Sequence, residues 1–166
     1  MTRDPLYGSI AVSFNREGGV VDVFNPDIPR VRIARSWQAK RNKDVPIGTR
    51  DAKELTISVE DTPAVIKPNA ARTSRRFHDV SVQCTDVTYQ YVTDTLRWSR
   101  LLRNGVCVGR FRTRISARVL AQWEPTAETR PLDASVGYAL AAAFGTGGTP
   151  AWLTAISDAL ELATLT

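Results

Sequence analysis

The chain has 166 residues, of which 43% are hydrophobic and 23% are charged, and its formal net charge is +5. This length and composition are typical of one globular domain with a sizeable core, and the positive charge favours an anionic partner. The single histidine, His78, excludes a histidine metal cluster. No run reaches the roughly 20 apolar residues of a membrane span, and the polar start Met1–Pro5 is unlike a secretory signal. We therefore expect a cytoplasmic location.

The first part of the chain predicts a β-hairpin followed by two strands. The runs Tyr7–Phe14 and Val20–Phe24 are rich in β-branched and aromatic residues, and Gly18 and Gly19 between them favour a tight turn. We therefore predict a hairpin over residues 7–24. The segments predicted after it are the strand Arg30–Trp37, the loop Gln38–Arg50, the strand Lys53–Glu60 and the loop Asp61–Ser74.

The middle of the chain predicts more extended structure. Arg75–Val92 is the longest β-rich stretch, and the change of parity near Thr85 and Asp86 predicts a bulge or a bend. Thr93–Gly105 loses the alternation, which leaves either a long connecting loop or a short helical turn. Val106–Gln122 alternates again and predicts one long strand.

Within that last strand, arginines recur on one face. Apolar residues and threonine occupy the odd positions from Phe111 to Val119, while the even positions from Arg110 to Arg118 are polar. The arginines of this polar face are Arg110, Arg112, Arg114 and Arg118. Like charges along one strand face repel each other, so a polyanion over the sheet would stabilise the arrangement. The alternative is an ordinary solvated face on which the arginines pair with carboxylates.

The end of the chain changes to helical spacing. Asp133–Phe144 predicts a helix with Asp133 capping its first turn, and Gly145–Gly148 ends it. Thr149 and Pro150 predict the start of a second helix that runs to about residue 164. The fold class is thus α+β in one domain over 1–166: a hairpin at 7–24, an antiparallel sheet over 30–122 and two helices over 133–164.

Both predicted helices are short and apolar on most sides. A helix of this kind is usually buried on most sides, which favours a subunit interface. The alternative is that the helices only cover their own sheet. The candidate dimer-interface residues are Tyr138, Leu140, Phe144, Trp152, Ile156 and Leu160.

No pattern points to catalysis. The chain has no glycine-rich phosphate loop after a strand, no nucleophile elbow and no metal-binding spacing, so we expect no enzyme activity, no cofactor and no metal. Cys84 and Cys107 do not form a disulfide framework. They are either idle thiols, or Cys107 forms a disulfide with a neighbouring chain.

The polar strand faces provide the positive evidence for function. If the strands 53–60, 75–84 and 109–122 are neighbours, their polar residues line up on the sheet face opposite the helices. Arginine pairs bidentately with phosphate, and Ser, Thr and Gln donate to phosphates or base edges, so this face suits nucleic acid. The candidate RNA-binding residues are Thr56, Ser58, Ser81, Gln83, Arg112, Arg114, Ser116 and Arg118.

The chain resembles the coat proteins of single-stranded RNA bacteriophages. The hairpin around Gly18 and Gly19, the strand Leu55–Val59 and the basic turn into a strand at Arg75–Val82 carry the resemblance. The end of the chain adds to the resemblance with two predicted helices, at Ala141–Phe144 and Pro150–Leu160, separated by a turn of small residues. The similarity covers nearly the whole chain as a pattern.

The resemblance implies a structural protein of the virion, assembled in the host bacterial cytoplasm. Such chains form an interlocked homodimer in which each chain's helices reach over its partner, and the dimers build an icosahedral shell. The sheet faces the single-stranded RNA genome, which places the eight candidate RNA-binding residues on the inner face, and the same face can bind an RNA hairpin and repress translation. The loop 93–105 would lie at the symmetry axes with Cys107 nearby. No membrane or small-molecule partner is expected.

Two other interpretations remain open from the sequence. One is a free dimeric β-sheet regulator that binds nucleic acid. The other is a different virion component, such as a tail protein, with no role in nucleic-acid binding.

Overall fold

The computed structural model describes residues 1–69, 79–114 and 118–148. In this part of the chain, eleven strands form one sheet, and a single α-helix follows them. The strands are β1 Thr2–Asp4, β2 Gly8–Asn15, β3 Val20–Asn25, β4 Ile28–Arg35, β5 Leu55–Val59, β6 Thr62–Pro68, β7 Val80–Gln83, β8 Thr88–Thr93, β9 Ser99–Arg103, β10 Val106–Thr113 and β11 Val119–Trp123, and the helix is α1 Pro131–Phe144. This confirms a mainly antiparallel sheet followed by a helix, which is compatible with the α+β class.

The sheet is a meander in which each strand pairs antiparallel with the next along the chain. Its two edges approach each other, because Thr2 Oγ1 on β1 donates to the Val119 carbonyl on β11 (2.7 Å). The indole Nε1 of Trp123 also donates to the carboxylate of Asp4 (3.0 Å to Oδ2). The sheet therefore curls round until its first and last strands meet.

Helix α1 lies inside this curl. Every residue from Asp133 to Phe144 is buried, and the helix packs against strands from both halves of the sheet, β2–β4 and β9–β11. Gly137 faces the ring of Phe111 so closely that a Cβ would come within 2.1 Å of it. The helix ends at Gly145, whose φ of 77° suits glycine. One chain thus encloses the apolar helix predicted from the sequence.

The sequence missed three strands. β1 was not predicted, β6 lies in the predicted loop 61–74, and β9 lies in the predicted loop 93–105. In β6, Pro63 and Pro68 resembled loop residues, although both fit near the strand ends. In β9 the inward positions include Ser99 and Arg103, so polar side chains concealed the alternation.

The predicted strand Val106–Gln122 is two strands, β10 and β11. They form a hairpin, closed at one end by a hydrogen bond from Arg114 N to Arg118 O (2.7 Å). From Gly109 to Thr113 on β10 and along β11 the odd-numbered residues are the more buried ones, so the alternation stays in phase from one strand to the next and conceals the turn.

The bulge or bend predicted near Thr85 and Asp86 is a turn between two strands. Thr85 and Asp86 belong to the β7–β8 turn, where Cys84 N donates to Val87 O (2.9 Å). A change of register does occur elsewhere, between Cys107 and Gly109 in β10.

The second predicted helix, with Trp152, Ile156 and Leu160, lies outside the described residues, as do Ser116 and His78. Within the described ranges, no helix is long and apolar enough to cross a membrane.

Candidate nucleic-acid interface

The candidate RNA-binding residues on strands point away from the helix. On β5, Leu55 and Ile57 are buried, whereas Thr56 between them is exposed. β7 alternates in the same way, with Val80 and Val82 buried under α1's side of the sheet. The candidates that share the outward face are Thr56, Ser58, Ser81, Gln83 and Arg112. These strands therefore have one polar and one apolar face, as the alternation predicts, while the strands that α1 packs against are β2–β4 and β9–β11.

The strands whose polar faces would line up if they were neighbours are not neighbours in the sheet. β6 lies between β5 and β7, and both β8 and β9 lie between β7 and β10. Two of the intervening strands, β6 and β9, were not predicted. The third, β8, is separate from β7 because the chain turns between them. The outward polar residues are consequently spread around the curled sheet.

The meander instead sorts the turns into two ends of the molecule. Because successive strands run in opposite directions, the turns after β2, β4, β6, β8 and β10 lie at one end. The C-terminus of α1 lies there too, since Ile47 N donates to Ala143 O (2.9 Å) and Thr113 N donates to Thr146 Oγ1 (2.8 Å). The remaining turns and the start of α1 lie at the opposite end, where Ser135 Oγ donates to Pro29 O (2.5 Å).

Charge is segregated between these two ends. The first end, which we call the basic end, has more basic than acidic side chains among the described turn residues. The basic ones are Arg16, Lys40, Arg41, Lys43, Arg50, Lys53, Arg97, Arg114 and Arg118, against Glu17, Asp44, Asp51, Glu54, Asp79 and Asp94. We call the opposite end the acidic end. Its described turns carry one basic side chain, Arg130, against the acidic side chains Asp27, Glu60, Asp61, Asp86, Glu124 and Glu128. An elongated polyanion would be attracted to one end and repelled by the other.

The arginines of the β10–β11 hairpin differ in their partners. Arg110 lies 4.7 Å above the ring of Trp98, donates from Nε to Gln122 Oε1 (2.8 Å) and lies 3.9 Å from Asp94 Oδ2. The alternative of arginines paired with carboxylates therefore describes Arg110. For Arg112, Arg114 and Arg118, no carboxylate of the described residues lies within ion-pair distance. These three guanidinium groups can pair with an external anion.

Position along the strands separates the other candidates. Thr56 and Ser81 lie next to the basic end, where β5 and β7 begin. Ser58 and Gln83 lie farther along the same strands, toward the acidic end. The predicted RNA-binding residues on these two strands thus fall into two pairs, one beside the basic end and one farther from it.

Arg50, at the basic end, contacts other parts of the same chain. It donates from Nη2 to Asp79 O (3.1 Å), and its guanidinium lies 5.4 Å from the centre of the Phe144 ring. Burial lowers the pKa of Arg50 to about 10, against the smaller opposing effect of Asp79. Arg50 thereby fixes the long β4–β5 loop against α1.

Sequence reasoning missed polar residues on two of the three strands that it did not predict. Lys67 on β6 and Arg100 on β9 line an outward groove of about 760 Å³ together with Ser81 and Gln90. Lys67 lies opposite Ser81 in the register of β6 and β7. The signal was present as a weak alternation in Thr62–Pro68, but the two prolines obscured it.

The predicted dimer-interface residues of α1 are already buried within one chain. Tyr138 and Leu140 are fully buried and Phe144 is 9% exposed, all against the chain's own sheet. The alternative that the helix covers its own sheet accounts for these three residues. A partner chain would have to displace this packing to reach them.

The cysteines lie near the acidic end. Cys107 is half-buried and its Sγ lies 3.8 Å from Gly109 O, while Cys84 begins the β7–β8 turn. Both are free thiols, and burial raises the pKa of each thiol. In the described ranges no three His, Cys, Asp or Glu side chains come together as a metal site.

Comparisons of the chain with protein-family models, with curated proteins and with solved structures find no match.

Proposed function

We propose that this chain is a coat subunit that packages single-stranded RNA, with its basic end directed at the genome. The segregation of charge between the two ends carries the proposal. A shell subunit needs one surface that neutralises phosphate and another that faces away from it, and this fold provides both. Phosphate neutralisation needs only positive charge in the right place, without base-specific contacts.

The contacts to RNA are assigned to the hairpin end of β10 and β11 and its surroundings. Arg112, Arg114 and Arg118 supply guanidinium groups that lack a carboxylate partner among the described residues. Thr56 and Ser81 lie on the outward face beside the basic end and can donate to phosphate oxygens. Ser58, Gln83 and Ser116 complete the set expected from the sequence, and Gln83 is the weakest member because it lies toward the acidic end.

The resemblance to the coat proteins of RNA bacteriophages extends the proposal. It adds homodimers, an icosahedral shell, location in the virion and repression of translation through an RNA hairpin. A disulfide between Cys107 and a neighbouring subunit would join chains near the acidic end, away from the RNA. Electrophoresis of assembled particles without reductant, beside the Cys107→Ser variant, tests that bond.

Electron microscopy of the purified protein tests the main proposal. Uniform closed particles whose nucleic acid resists nuclease are the expected result. Particles without protected nucleic acid would remove the RNA-packaging part of the proposal. A soluble protein that never assembles, at high concentration and with RNA added, would overturn the coat role.

A second candidate is a free nucleic-acid-binding regulator. The enclosure of α1 by its own sheet favours it, because the chain buries its apolar helix without a partner. This candidate predicts nucleic-acid binding through the same basic end by a small soluble species. Size-exclusion chromatography with RNA present separates the two candidates.

A further inference from the structure

Trp37 is the most exposed large apolar side chain of the described residues, at 88% exposure. It follows β4 at the basic end and occupies a turn in which Ala39 N donates to Ser36 O (3.1 Å). Burying an apolar ring of this size stabilises a fold, and Trp37 forgoes most of that stabilisation where it stands. The ring is therefore presented to solvent by the turn.

The loop that carries Trp37 is fixed to the body of the protein. Asn42 N donates to Gly48 O (2.6 Å), and Arg35 Nη1 donates to Ile47 O (2.6 Å). Ile47 is fully buried and its N–H bonds to the end of α1. A ligand that contacts this loop would not have to order the whole segment first, which lowers the entropic cost of binding.

The exposed charges that follow Trp37 in this loop are mainly cationic, with Asp44 as the one carboxylate among residues 38–50. Lys40, Arg41 and Lys43 are exposed, and no carboxylate of the described residues lies within ion-pair distance of them. The apolar residues farther along the loop, Val45 and Ile47, are buried. A protein interface or a membrane surface requires a contiguous apolar patch, which a single indole does not supply.

We propose that Trp37 is a base-stacking platform for single-stranded nucleic acid, with Lys40, Arg41 and Lys43 contacting the adjacent phosphates. An exposed aromatic ring beside positive charges is the arrangement that holds single strands without sequence preference, because every base offers a π face. The inference rests on the proposed function and adds a second contact region, separate from the β10–β11 arginines. It also gives the basic end a way to distinguish unpaired bases from a duplex, whose bases are stacked on one another.

Binding to two labelled strands of equal length tests the proposal: an oligouridine RNA and an oligonucleotide of the same charge whose residues are abasic. Trp37→Ala should weaken oligouridine binding at least about fivefold and leave abasic-strand binding unchanged. Trp37→Phe should retain most of the affinity for oligouridine. The Lys40→Ala and Lys43→Ala double variant should weaken binding of both strands and lower the salt dependence of each.

Phe24→Ala is the matched control, since Phe24 is 55% exposed and lies on β3 near the acidic end. It should bind both strands as the unaltered protein does. If the unaltered protein binds neither strand, the proposed function fails. If it binds oligouridine and Trp37→Ala binds equally well, the stacking inference alone is overturned. Binding to anionic lipid vesicles that requires Trp37, without any effect of Trp37→Ala on oligouridine, would overturn it in favour of a membrane contact.

Discussion

The hydroxyl of Tyr138, in the middle of α1, donates a 2.6 Å hydrogen bond to the Asp4 carboxylate on β1. Asp4 is 3% exposed and also accepts from the Trp123 indole of β11 and from the backbone N–H of Leu6 and Tyr7. One carboxylate therefore joins the first strand, the last strand and the helix. Together with the hydrogen bond from Thr2 to Val119, it closes the curled sheet around α1.

Asp4→Ala should lower the free energy of unfolding by about 3 kcal/mol, because it leaves the buried Tyr138 hydroxyl and the Trp123 N–H without an acceptor. Tyr138→Phe should cost about 1 kcal/mol, since Asp4 keeps its other donors. Urea unfolding followed by circular dichroism measures both. Asp27→Ala, at an exposed carboxylate of a nearby turn, is the control, and an equal loss in that variant would contradict the closing role of Asp4.

Arg103→Ala should destabilise the fold by about 3 kcal/mol, because it leaves a buried charge without its counter-ion. Arg103 forms an ion pair with Asp133, whose side chain has no exposed surface and which also accepts from Tyr89 Oη (2.7 Å). The matched control is Arg100→Ala, which removes an exposed ion pair with Asp94 and should cost less than about 1 kcal/mol. Thermal and urea unfolding of the two variants side by side provide the comparison; similar losses would show that Asp133 does not depend on Arg103.

The stability of the fold should fall in alkaline solution. Burial raises the pKa values of Tyr89, Tyr91 and Tyr138, and the carboxylates bonded to Tyr89 and Tyr138 raise those two further. Below about pH 10 the three phenols are neutral in the folded and unfolded chains, so their contribution to stability is fully present. At higher pH the unfolded chain releases protons that the folded chain retains, and unfolding is favoured.

The free energy of unfolding should therefore decrease by up to about 1.4 kcal/mol per pH unit for each of these tyrosines above about pH 10. Urea unfolding between about pH 8 and about pH 11, with phenolate absorbance recorded in parallel, measures it. Tyr138→Phe should show a shallower decrease. A gradual phenolate titration without unfolding would mean that the phenols are accessible in the folded chain.

The Arg112→Ala and Arg114→Ala double variant should reduce RNA binding while leaving the fold intact, because neither side chain has a carboxylate partner among the described residues. The slope of log affinity against log salt should decrease by about 0.7 for each phosphate that is no longer neutralised. RNA retained per particle, or affinity for a single-stranded oligonucleotide, provides the measurement. An equal removal of charge at the acidic end, by Arg3→Ala with Arg130→Ala, is the control; if both double variants bind the same reduced amount of RNA, the basic end is not the binding surface.

Much of the sheet could be predicted from local pattern. Alternation located β2 to β5, β7, β8 and β10, because these strands bury one face and expose the other. The end of α1 at Gly145 followed from the glycines after Phe144, whereas α1 begins at Pro131, two residues before the predicted start, and Asp133 lies at its third position. Prediction failed where inward positions are polar, as at Ser99 and Arg103 of β9, since their partners, Gly147 N and Asp133, lie far away in sequence.

The sequence by itself determined the positive net charge, the apolar helix and the two-residue period of most strands, because these depend on residue type and local spacing. Only the tertiary structure decided which charges act together. An antiparallel meander sends successive turns to opposite ends, so basic and acidic turns that alternate along the chain are gathered into a basic end and an acidic end. Whether two turns share an end depends on the number of strands between them, and with β6 and β9 missed, that number could not be read from the sequence.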